Sequence, residues 1–157
     1  DAVDLQGLTP LHAAAAKNHS ETVKVLVEEF GADIHASARD GMGVAHWAAL
    51  GGHVDLLRTV IHQYGASVEA RDLEGRTPLH IASLMGDVET IRVLVHECGA
   101  FVDALNYNGL SPIESAASND HSSAVTYLAR ECNAKLVDAP PEDLAPAPTL
   151  PPPVQPE

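Results

Sequence analysis

Hydrophobic and polar positions along this chain fall into clusters that predict a short turn-and-helix unit. Residues 72–105 show it best. Leu79, Ile81 and Ala82 predict a short helix from Leu79 to Met85, and Gly86-Asp87 breaks it. Val88, Ile91, Val93, Leu94 and Val95 then predict a second helix with a broad apolar face. Ahead of the first helix stands Thr77-Pro78, a hydroxyl able to cap free amides followed by proline at the first helical position, where no N–H is needed. Asp72-Leu73-Glu74-Gly75 reads as a β-turn, with Asp first and Gly last. Cys98-Gly99 closes the second helix, since glycine takes the left-handed C-cap conformation, and Phe101 to Ala104 runs extended into the next turn.

The unit recurs every 34 residues. Gly7, Gly41, Gly75 and Gly109 keep the spacing, as do Gly31, Gly65, Gly99 and Asn133, and Ala32, Ala66, Ala100 and Ala134. His12, His46 and His80 share a fourth register, in which Glu114 takes the last place. Four copies follow, at about 4–37, 38–71, 72–105 and 106–138. No single copy can bury its own apolar face, whereas copies stacked side by side can. The prediction is an all-α helix-turn-helix solenoid.

Gly7-Leu8-Thr9-Pro10-Leu11-His12-Ala13-Ala14, Gly75-Arg76-Thr77-Pro78-Leu79-His80-Ile81-Ala82 and the Gly31-Ala32-Asp33-Ile34 ending resemble the ankyrin repeat. The resemblance spans residues 4–138. It implies β-turn or hairpin fingers beside the helices, a histidine in each unit that supports the turn, and a concave face of turn tips and inner helices that grips other proteins. The family period is usually 33. The additional residue falls at the end of each second helix, in Glu28-Glu29-Phe30, His62-Gln63-Tyr64, His96-Glu97-Cys98 and Glu131-Cys132. Shared by all copies, it is expected to lengthen each outer helix in step and leave the stack unbroken.

The ends differ. Unit four carries Ser111, Glu114, Ser115, Ser118, Asn119, Asp120, Ser122 and Ser123, a polar set suited to a C-terminal cap. Unit one has an interior repeat's composition, so a further repeat or domain is expected before Asp1, making this a monomeric module of a longer chain. Residues 139–157 hold eight prolines and no basic residue. They are expected to be a Pro-rich tail or linker, with a PxxP docking peptide at Pro148-Thr149-Leu150-Pro151, or a fold-back over the last repeat, as alternatives.

Composition narrows the function. Hydrophobic residues make up 45% but aromatics only 4%, so small side chains must approach closely. The net charge of −13 argues against nucleic acid and anionic membrane surfaces, both of which need clustered Lys and Arg. No apolar run reaches the length of a membrane span, and none is expected to insert. Nine histidines invite a search for metal or catalysis, but they recur because the unit recurs. His19, His53 and His121 share one position, expected to be exposed loop or cap, and His62 and His96 share another. Ligands must converge on one point, so no metal, cofactor or enzymatic activity is expected. Cys98 and Cys132 are repeat equivalents, too far apart for a disulfide. Two unpaired thiols suggest a reducing compartment, cytoplasm or alternatively nucleus.

Function is then expected on the surface, with a protein or peptide partner. Residues that vary while the frame stays constant are the candidates. On the turns they are Leu5, Leu8, Arg39, Met42, Leu73, Arg76, Tyr107 and Leu110, and on the first helices Trp47, Leu50, Leu84 and Met85. Turn tips are ordinarily polar, so Leu, Met and Tyr there predict an apolar stripe for binding. Two roles fit: a non-enzymatic adaptor or scaffold, or a regulatory domain of a larger channel, kinase or acyltransferase. Unit two departs from the frame, since Gly43-Val44-Ala45 replaces Thr-Pro-Leu and Trp47 is the only tryptophan. Trp47 is expected either to fill the space that Ala45 vacates or to reach the groove between Met42 and Leu50.

Overall fold

A computed structural model describes residues 3–136 of the chain. Eight α-helices follow one another in four hairpins. The inner row is α1 (Pro10–Ala16), α3 (Val44–Leu50), α5 (Pro78–Met85) and α7 (Pro112–Ala117). The outer row is α2 (Ser20–Glu28), α4 (Val54–Arg58), α6 (Val88–Arg92) and α8 (Ser122–Arg130). Each inner helix packs on its own outer helix and on the inner helix of the next repeat. This is the expected all-helical solenoid. Its only described β pairing is the isolated bridge between Ser37 and Gly43. The tail, with its PxxP and fold-back readings, lies outside the described residues.

Sequence accounts for the inner helices locally. Thr9, Thr77 and Ser111 stand at the N-caps of α1, α5 and α7, each followed by proline. The buried histidine two positions after that proline closes the unit. His12 Nδ1 accepts the N–H of Thr9 at 3.1 Å, and its Nε2 donates to the Ala36 carbonyl of the next loop at 2.9 Å. His46 does the same with Gly43 (3.1 Å) and Arg76 (2.7 Å), and His80 with Thr77 (3.1 Å) and Leu110 (2.9 Å). An Nδ1 facing an N–H must accept, which leaves the proton on Nε2. The neutral imidazole thus ties the helix start to the following repeat in units two and three, and to the loop that ends its own repeat in unit one. In the last unit Glu114 takes the inner half of the role, its Oε2 accepting from Ser111 N and Oγ, both at 2.8 Å.

The core is a seam of small and medium apolar residues between the two rows. Leu11, Leu56, Leu57, Leu79, Ile91, Leu94, Ile113 and Leu128 are fully buried, with Ala15, Ala48, Ala49, Ala82 and Ala116 letting the helices approach. The thirty-fourth residue is not a simple lengthening. The last turns of the outer helices in repeats two and three widen to π geometry at Thr59–Gln63 and Val93–Glu97. Tyr64 N bonds to Thr59 O and Cys98 N to Val93 O, five residues back, and Ala66 and Ala100 reach six residues back to Val60 and Leu94. The first repeat bonds alike, Phe30 N to Val25 O and Ala32 N to Leu26 O. A wider turn absorbs one residue without rotating the apolar face out of register, so the stack continues.

Candidate protein-binding face

Four turns project beside the inner helices, with tips at Leu5-Gln6, Arg39-Asp40, Leu73-Glu74 and Tyr107-Asn108. The first residue of the turn shapes three of them. Asp4 Oδ1 accepts from the N–H groups of Gln6 and Leu8, Asp72 Oδ1 from Glu74 and Arg76, and Asn106 Oδ1 from Asn108 and Leu110, all at 2.9–3.0 Å. The second turn has Ala38 there and uses Asp40 Oδ1 on Met42 N instead, at 3.0 Å. Burial works to raise the pKa of Asp72, but the Arg76 N–H, the Arg76 guanidinium and the Glu74 N–H outweigh it and lower the value.

The turns are bonded to one another. Arg39 N donates to Gln6 O, Leu73 N to Asp40 O and Tyr107 N to Glu74 O, each at 2.9 Å. These rungs align Leu5, Arg39, Leu73 and Tyr107 in one row. Glycine permits the closeness: a Cβ on Gly41 would lie 2.6 Å from Leu73 N, and one on Gly75 would lie 2.5 Å from the Tyr107 ring. Leu5, Leu73 and Tyr107 are exposed by 83%, 68% and 70%. Leu50 and Met85, at the ends of α3 and α5, are also exposed.

The remaining candidates are less accessible. Leu8, Arg76 and Leu110 share one turn register and are half-buried, as is Leu84 on α5. Met42, in that same register, is only 6% exposed, so the apolar stripe expected on the surface loses it. This register lies on the flank where successive turns meet, and apolar side chains there cover the neighbouring turn before they meet solvent. Arg76 is held by Asp72 (2.7 Å) and Glu74 (3.0 Å).

Trp47 does not fill the space beside Ala45. Its half-buried indole packs against the core, and its Nε1 is sealed from solvent with no hydrogen-bond partner among the described residues. The space that Ala45 vacates remains as a hollow of about 180 Å³, lined by Ala45, Val44, Ile34, Ala36, Ala66 and neighbouring loop residues. The indole is absent from that lining: it starts two residues on, a half-turn round the helix from Ala45.

Two registers proved more structured than the sequence suggested. His53 and His121 stand at the N-cap positions of α4 and α8, as expected, but are half-buried and not exposed: their Nε2 atoms meet the carbonyls of Ala16 (3.0 Å) and Leu84 (2.8 Å) in the preceding repeat. His19 is exposed, as expected. On the outer helices Tyr64 donates to Glu28 (2.9 Å), and Cys98 and Cys132 stand beside His62 (3.8 Å) and His96 (4.0 Å). The common step of 36 residues was the signal available in the sequence for these rungs. Burial pushes both thiols up in pKa. Among the described residues no group of three or more His, Cys, Asp or Glu could hold a metal ion, and no helix is long and apolar enough to cross a membrane.

The family model for ankyrin repeats, in three copies, matches residues 1–72 and 45–138. The chain belongs to the ankyrin-repeat family. No curated protein matches it. Ankyrin repeats generally mediate protein–protein interaction and are typically non-catalytic. The four stacked hairpins, with proline starting three of the inner helices and a histidine tie in three of the units, are this chain's form of that architecture.

Proposed function

We propose that this ankyrin-repeat chain is a non-enzymatic adaptor-type module that grips a protein partner with its fingertip row and the adjoining inner helices. The observation that carries the reading is the row itself. Three of its four side chains are large, apolar or aromatic, and largely in water. The backbone rungs at 2.9 Å hold them in one line before any partner arrives. Ordering such groups in advance removes a cost that binding would otherwise meet, and a linear set of exposed apolar groups is a binding surface more often than a solubility device. Leu50 and Met85 extend the apolar surface towards the helix ends. The two unpaired thiols favour a reducing setting, cytoplasm or nucleus, with the chain acting as a monomeric unit.

The test is capture of a partner by the intact chain against the double variant Leu73→Asp, Tyr107→Asp, with circular dichroism to establish that the variant is folded. The partner is expected to be lost from the variant. Undiminished capture by a folded variant overturns the fingertip reading.

A further inference from the structure

The charges along the fingertip row are unevenly satisfied. Glu74 is paired with Arg76, and Arg76 with Asp72. Asp4 and Asp40 spend carboxylate oxygens on backbone N–H groups of their own turns. Arg39 differs. It is exposed between Leu5 and Leu73, its backbone N–H is committed to Gln6, and its guanidinium pairs with no carboxylate among the described residues. In a chain of net charge −13, an unpaired arginine inside an apolar row is a place for a partner's carboxylate. The long-range field of the same chain disfavours a partner that is acidic throughout. Charge complementarity therefore calls for one acid within an otherwise neutral or basic segment.

Spacing supplies the rest. Adjacent helices pack about 8–10 Å apart, and the rungs keep one fingertip per repeat. A polyproline II helix turns once in three residues and rises about 9 Å in doing so, so every third side chain lies on one face at the pitch of the repeats. A β-strand would turn every third residue to the opposite face. Tyr107, its ring lying over Gly75, offers the aromatic surface on which such helices dock. Resting on the fingertip reading above, we infer that the row binds a polyproline II segment of a partner protein. Every third residue of that segment meets a successive fingertip, with a single acidic residue on Arg39 and apolar residues on Leu5, Leu73 and Tyr107.

The probes are fluorescein-labelled peptides titrated into the full chain and read by anisotropy. One is Leu-Pro-Pro-Glu-Pro-Pro-Leu-Pro-Pro-Leu, the second is its reversed sequence, and the third keeps the composition but sets the four key residues two apart. One of the first two is expected to bind at least about tenfold tighter than the third, and Arg39→Glu to weaken it about tenfold. Lys in place of the peptide's Glu is expected to recover affinity for Arg39→Glu. Equal binding of all three peptides, no binding of any, or indifference to Arg39→Glu overturns the inference. So does tighter competition by a peptide of residues 139–157, which would make the chain's own tail the occupant. If the peptides fail while partner capture still depends on Leu73 and Tyr107, the peptide form falls and the fingertip reading stands. If capture is indifferent to those residues as well, both fall.

Discussion

His46 is enclosed, and both its ring nitrogens are used, one accepting from Gly43 and one donating to Arg76. A proton on Nδ1 would place a donor against a donor. Burial is the main cause that lowers the pKa of His46, and likewise of His80, below the ordinary 6.5. Above pH 6.5 both rings are neutral folded or unfolded, and the shift costs nothing. Below it the unfolded chain takes up protons that the folded chain refuses, so stability falls until the lowered folded values are passed. Urea midpoints are expected to drop between pH 7 and pH 5.5, before most carboxylates titrate. A flat profile there would show that the imidazoles are not held neutral. Gly75 is a second residue whose environment decides its substitution. Its φ is +76°, and a Cβ would meet the Tyr107 ring. Gly75→Ala is expected to destabilise by about 1 kcal/mol or more and to shift Tyr107 in the row, measured as a lower melting midpoint together with a changed tyrosine signal.

Among the inner helices, α3 is the one that starts without a hydroxyl cap or proline. Thr, Pro and Leu at its equivalents become Gly43, Val44 and Ala45, and Gly43 gives no side-chain cap. Gly43 is extended, with φ −95°, and a Cβ there meets only Ala36 O, at an ordinary 3.7 Å, besides the far end of His46. The backbone therefore accepts repair. Gly43→Thr with Val44→Pro is expected to stabilise by about 1 kcal/mol through the cap and the stiffened helix start. Ala45→Leu adds three carbons to the hollow beside it, about 2 kcal/mol at full burial. Chemical denaturation of the three-substitution chain checks both, and no gain would mean the hollow closes around Ala45 in solution. The weak start of α3 was legible in the sequence, because caps and proline act within one turn. The persistence of the hollow was not, since it depends on loops 34–36 and 66–70 closing over Ala45. The π turns were half-legible: the period revealed an extra residue, but hydrogen bonding decided whether the helix grew or widened. Leu73 and Tyr107 could be placed at tips from the turn motif, whereas the burial of Met42 in their midst follows from contacts between turns.

Across the whole molecule, the interfaces are bonded in both directions: His46 and His80 donate forward to the following repeat, while fingertip amides and a second histidine register reach back. Arg39, Leu73 and Tyr107 donate backbone N–H groups backward, and His53 and His121 meet carbonyls backward. On the first repeat the same registers hold Leu5 and His19, both exposed, and Pro10, Ala13 and Phe30 are exposed where their equivalents in the next repeat are buried or half-buried. Val3, Leu8, Pro10 and Ala13 line an open apolar hollow of about 310 Å³ on that face. The far end instead presents Ser118, Asn119, Asp120, Ser122 and Ser123. Stability in a solenoid is close to a sum of unit and neighbour terms, so the two ends should respond differently to an added unit. A copy of residues 72–105 placed directly ahead of Asp4, in place of residues 1–3, is expected to raise the melting midpoint, at about 2–4 °C for each kcal/mol of new interface. The amide of Leu5 should become protected from exchange as it gains the added unit's equivalent of Glu74 O. The same copy placed after residue 139, which keeps the 34-residue register, should raise the midpoint less, because it must cover polar side chains. Equal gains at both ends would show that the frame alone sets the interface and that the asymmetry of the two faces carries no energy.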